Sequence, residues 1–108
     1  MADSGDKIKT HIGDFSFGKN TPKNFDSHIG KSVPLYNMGQ ELIANLSSFF
    51  LVNGSVVYDL GCSTGNISKK IINYNKQIEV KVFAVDVEKK MLKKAKSKFS
   101  KTEKNKIK

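Results

Sequence analysis

Two apolar stretches, each closing on an aspartate, dominate the second half of the chain. Ser55-Val56-Val57-Tyr58-Asp59-Leu60 is rich in β-branched and aromatic residues and follows Asn53-Gly54, a pattern that predicts a buried strand entered from a turn. Glu79-Val80-Lys81-Val82-Phe83-Ala84-Val85-Asp86 alternates and then turns continuously apolar, which predicts a second, parallel strand. Between them Ile67, Ile71 and Ile72 recur at helical spacing, and after them Met91, Leu92, Ala95 and Phe99 do the same, so a crossover helix follows each strand. Upstream, Thr21-Pro22 is a helix start, with Phe25 and Ile29 on one face. Pro34 starts another helix, whose stripe Leu35, Met38, Leu42, Leu46 and Phe49 is expected to pack on the sheet.

The first strand opens directly into Gly61-Cys62-Ser63-Thr64-Gly65. Strand, glycine loop and helix together form a ligand-binding unit, because glycine admits positive φ and close approach of a ligand to the backbone. The spacing is not the G-x-G-x-x-G of a pyrophosphate grip, and an adenosine ligand without phosphates fits it better. Asp86 stands 21 residues after Gly65, at the separation where a strand-end carboxylate accepts ribose hydroxyls.

The motifs Val57-Tyr58-Asp59-Leu60-Gly61-Cys62-Ser63-Thr64-Gly65 and Phe83-Ala84-Val85-Asp86 resemble the first two motifs of class I S-adenosylmethionine-dependent methyltransferases. With Gly13-Asp14-Phe15-Ser16-Phe17 and Ser32-Val33-Pro34-Leu35-Tyr36, the chain is most similar within that superfamily to the carboxy-S-adenosyl-L-methionine synthase family, over residues 13 to 99. The resemblance implies an α/β fold, the N-terminal half of a Rossmann-like doubly wound parallel sheet preceded by N-terminal helices. It implies S-adenosyl-L-methionine, or its carboxylated form, as cofactor. It also implies conversion of S-adenosylmethionine and prephenate into carboxy-S-adenosylmethionine for tRNA wobble-uridine modification. An ordinary methyltransferase fragment is the alternative. By the same resemblance Tyr36 touches the cofactor, and Gly61, Cys62, Ser63 and Gly65 form its loop. Asp59 either meets the ammonium group or holds the loop, Asp86 takes the ribose, and Val87 borders the adenine. Lys31 stands where the family commonly has arginine, a substitution that removes a planar fork.

Composition adds bounds. The chain has 108 residues, a size for one small domain, and is expected to divide into a polar, mobile arm (1–12), cofactor-covering helices (13–51), the cofactor-binding half domain (52–99) and a basic tail (100–108). No apolar run is long enough for a membrane span and the first residues lack a signal core, so a soluble, cytoplasmic protein is expected. Cys62 is the single cysteine, which leaves neither a disulfide nor a metal cluster, and with no base nearby it is expected to pack and not to react. His28 and His11 suggest no metal site. Net charge is +9, of which residues 88–108 carry +8; weak, non-specific nucleic-acid binding by this segment makes a non-catalytic basic module a second alternative. There is no arginine for bidentate readout. The last residues, 100–108, offer one apolar side chain and no expected partner strand, so the sheet edge calls for a partner chain or a second copy.

Overall fold

The computed structural model describes residues 2–3, 9–10 and 21–108. The Gly13 to Phe17 motif and His11 lie outside them, as does the side chain of His28. The chain forms two compact units, 1–37 and 38–108. In the first, β1 (Ala2–Asp3) pairs antiparallel with β2 (Lys9–Thr10), and α1 (Thr21–Ser32) begins at the Thr21-Pro22 signal. Phe25 of α1 is buried. The helix stops before Pro34, which disfavours helical backbone at the residue preceding it. Leu35 takes a φ of 58°, and α2 (Tyr36–Phe50) follows two residues after the proline.

The second unit is built on the two apolar stretches. β3 (Ser55–Leu60) and β4 (Val80–Val85) lie parallel in register, Ser55 opposite Val80 and Leu60 opposite Val85. Strand alternation sends Val57, Val80 and Val82 to one face and Val56, Tyr58, Leu60, Phe83 and Val85 to the other. On the first face α3 (Asn66–Tyr74) and α4 (Lys89–Lys98) meet in one core, where Ile71, Ile72, Val82, Ala95 and Phe99 are buried together and Leu51, Val57, Ile67 and Ile107 pack around them. The opposite face is bare among the described residues: Tyr58 stacks on Phe83 with ring centroids 5.3 Å apart, and Leu60 is 77% exposed. This is half of a doubly wound α/β sheet, with helices on one side only.

Two expectations are corrected. The stripe Leu35, Met38, Leu42, Leu46 and Phe49 of the second helix does not pack on the sheet; all five side chains are exposed, Phe49 at 81%. The buried positions are Gln40 and Ala44, and the flanking polar groups reach α3: Glu41 accepts from Lys70 Nζ and from Tyr74 Oη, and Ser47 Oγ accepts from Asn75 Nδ2 at 2.9 Å. Side-chain hydrogen bonds thus choose the face that hydropathy alone does not.

The second correction concerns residues 100–108. Ile107 bridges Val82 in parallel, Val82 N–H donates to Lys106 O at 2.7 Å, Lys108 N–H to Val82 O at 2.8 Å, and Ala84 N–H to Lys108 O at 3.0 Å. The basic end therefore supplies a short third strand beside β4, in the spatial order β3, β4, 106–108. It is launched by a reciprocal cap: Ser100 N–H donates to Glu103 Oε2 at 2.6 Å and Glu103 N–H to Ser100 Oγ at 3.3 Å, ahead of a single 3-10 turn at Glu103–Asn105.

Candidate cofactor-binding site

The carboxyl ends of β3 and β4 are tied together at the loop. Gly61 and Cys62 both donate their N–H groups to Val85 O, at 2.8 and 2.9 Å, so the chain leaving β3 crosses over the end of β4. Gly61 and Gly65 take positive φ (72° and 78°), and so does Ser63 at 51°, a conformation that is uncommon outside glycine. Ser63 is held in it by its own N–H, which donates to Asp86 Oδ2 at 2.8 Å. The other carboxylate oxygen, Oδ1, accepts Glu88 N–H at 2.8 Å, closing a turn over Val87. Asp86 thus joins the first loop to the second, and each of its oxygens keeps a further lone-pair direction for a ligand hydroxyl.

Asp59, one residue before the end of β3, accepts from Ser68 Oγ at 2.6 Å, and Ser68 is fully buried. The carboxylate therefore anchors the first turn of α3 to the strand, which is the loop-holding role. Gly65 N–H donates to Cys62 O at 2.8 Å and Gly65 O receives Lys69 N–H at 3.0 Å. A Cβ on Gly65 would lie 3.1 Å from Ala95 Cβ and 3.3 Å from the Phe99 ring, so glycine here serves close packing of the loop on α4 as well as the turn.

These bonds decide what the loop can hold. The N–H groups of Gly61, Cys62, Ser63 and Gly65 are all committed within the chain, so the loop is no cradle of open donors for phosphate. What it presents is acceptors, the carboxylates of Asp59 and Asp86 and the loop carbonyls, and these suit ammonium and hydroxyl groups. The electrostatics agree. Burial first, and then the charges of Asp59 and Asp86, together push the Cys62 thiol up to about 11. Both carboxylates therefore put negative potential at the loop, and the thiol stays protonated and inert at neutral pH.

The structure brings Gly61, Cys62, Ser63 and Asp86 into direct hydrogen bonding, and Asp59 joins through Ser68 and α3. Val87, 93% exposed, stands at the rim beside Asp86. Tyr36 belongs to the other unit, where it opens α2 and is half-buried. Two participants escape a sequence reading, Ser68 beneath Asp59 and Lys98. Lys98 Nζ donates to Thr64 Oγ1 at 3.0 Å and to Asn66 Oδ1 at 2.6 Å, from more than 30 residues away. No local pattern announces such a contact.

Residues 57–108 match the family model described as a methyltransferase domain. The match starts within β3 and runs through the loop, α3, β4, α4 and the third strand. The chain is also similar to carboxy-S-adenosyl-L-methionine synthase of Campylobacter jejuni (serotype O:23/36, strain 81-176), 40% identical over 84 residues that make up 78% of this chain and 35% of the relative. The synthase of Mannheimia succiniciproducens is 39% identical over 75 residues, 69% of this chain and 31% of the relative. That of Histophilus somni (strain 2336) is 36% identical over the same shares. The chain spans about a third of the length of these curated relatives. Among the described residues no helix is long and apolar enough to cross a membrane, and no group of His, Cys, Asp and Glu could hold a metal ion.

Proposed function

We propose that this unit binds S-adenosyl-L-methionine as part of a carboxy-S-adenosyl-L-methionine synthase-like transferase. The observation that carries the proposal is the acceptor-rich loop: the N–H groups of Gly61, Cys62, Ser63 and Gly65 are spent internally, and the carboxylates of Asp59 and Asp86 lie near it, which suits a ligand that offers an ammonium group, a sulfonium and a ribose diol. Asp86 takes the ribose hydroxyls, carbonyls of residues 61–63 take the ammonium end, and Val87 lies along the adenine. When bound, the cofactor supplies a sulfonium whose adjacent carbon is the reactive position. The chain's own part is to bind and orient it.

The relatives' name extends the proposal to formation of carboxy-S-adenosyl-L-methionine; prephenate as the second substrate and tRNA wobble-uridine modification as the destination are proposed on the motif resemblance alone. The second substrate is bound by parts of the fold beyond the described sheet, contributed by further sequence or by a partner covering the free edge of β3. The family matched by residues 57–108 is described only as a methyltransferase domain, which favours methyl transfer as the second reading.

Calorimetric titration with S-adenosylmethionine tests the cofactor assignment. Asp86→Ala removes a charged hydrogen-bond acceptor and should weaken binding about ten-fold or more. Equal affinity of the variant and the parent chain would remove Asp86 from the site.

A further inference from the structure

The cofactor loop meets α4 at two places that its own sequence does not reveal. At one, Gly65 packs without a Cβ against Ala95 and Phe99. At the other, the ammonium group of Lys98 reaches back across the helix end to Thr64 Oγ1 and Asn66 Oδ1, at 3.0 and 2.6 Å. Thr64 is fully buried and Lys98 is half-buried, unlike Lys89, Lys90, Lys93 and Lys96 on the same helix, which are exposed. Lys98 is fixed in turn, because its carbonyl accepts from Lys69 Nζ on α3. A half-buried lysine bonded to two side chains of one loop, with its own main chain held by the helix that the loop begins, is a clamp and not a solvated charge.

We infer that Lys98 is a positioning residue for the cofactor loop, holding Thr64 and Asn66 so that residues 61–65 keep the shape that presents their acceptors. This rests on the cofactor assignment only for its effect on affinity; the clamp itself concerns the loop. Charge alone predicts the opposite consequence. S-adenosylmethionine carries net positive charge, so a lysine acting merely as a nearby cation would repel it, and removing that cation would tighten binding. A clamp predicts that removing it loosens binding.

The test compares the full 108-residue chain with Lys98→Met, which keeps the aliphatic stem, and with Lys93→Met, which removes one exposed charge from the same helix. Amide hydrogen exchange without ligand is measured first. The clamp predicts faster exchange at Ser63, Gly65 and Lys69 in Lys98→Met, with Val82 in the sheet unchanged, and no local effect in Lys93→Met. Unchanged exchange at those three amides, or an equal acceleration at Val82, would overturn it.

Titration with S-adenosylmethionine follows. The dissociation constant should rise about ten-fold in Lys98→Met, and Thr64→Val combined with Lys98→Met should weaken binding no further than the single changes, as expected when one acts through the other. Equal or tighter binding by Lys98→Met overturns the positioning role. If the parent chain fails to bind while loop exchange still responds to Lys98, the cofactor reading fails and the clamp stands.

Discussion

Gly65 and Cys62 show how tightly single residues of the loop are specified. At Gly65 a side chain meets both a left-handed backbone (φ 78°) and the flank of α4. Gly65→Ala should therefore lower stability by about 1–3 kcal/mol, measured by chemical denaturation, and no loss would mean that the loop can move away from Ala95. Cys62 holds its proton up to about 11, against an ordinary value of 9.0, because it is buried and two carboxylates lie near it. The folded state thus binds this proton more tightly than the unfolded chain. Its contribution to stability is complete below pH 9 and shrinks as pH rises toward 11. Thermal unfolding between those values should show that decline in the parent chain and a weaker one in Cys62→Ala; identical slopes would contradict it. Sequence made the loop and Asp86 legible because they form one local unit, strand to glycine turn to helix, followed by an acid at fixed separation. Ser68 beneath Asp59 and Lys98 beside Thr64 are contacts between elements, and nothing in their immediate neighbours marks them.

Helices and strands were legible by period, but which face of a helix is covered was not always so. Hydropathy marks Leu42 and Leu46 as the inner face of α2, yet Ala44 is the residue with no exposed surface, on the helix that Ser47 ties to Asn75. Ala44→Leu should cost about 1–3 kcal/mol by overpacking, whereas Leu46→Gln should change stability by less than about 0.5 kcal/mol. The reverse order in denaturant melts would show that the bulky stripe is the packed one. The same lesson holds for residues 100–108. Their lysines suggest a solvated end, but Ser100-Lys101-Thr102-Glu103 carries a capping-box pattern that precedes an ordered segment. Glu103 is held below the ordinary carboxylate range, first by Ser100 N–H and also by the charge of Lys69 nearby. A depressed carboxylate stabilises the fold above its unfolded pKa, and that stabilisation is lost as pH falls through and below the carboxylate range. Glu103→Gln should flatten this acid limb of the stability profile.

At the largest scale, the decisive fact is the sheet of residues 38–108, which among the described residues has helices on only one face. Parallel sheets are normally covered on both faces, and here Val56, Tyr58, Leu60 and Val85 remain exposed beside the free edge of β3. The curated relatives are about three times as long as the matched segment, a length in which further strands and a second helical layer fit. By itself the chain should associate as its concentration rises, and Tyr58→Asp with Leu60→Asp should keep it monomeric in sedimentation velocity. If both remain monomeric at every concentration, the bare face carries no association energy.

The most direct measurement is calorimetric titration of the folded 108-residue chain with S-adenosylmethionine, with inorganic pyrophosphate as the contrasting ligand. A loop made of acceptors predicts saturable binding of S-adenosylmethionine, weakened about ten-fold or more by Asp86→Ala, and none of pyrophosphate. A folded chain that binds pyrophosphate and ignores S-adenosylmethionine would contradict the account at its centre.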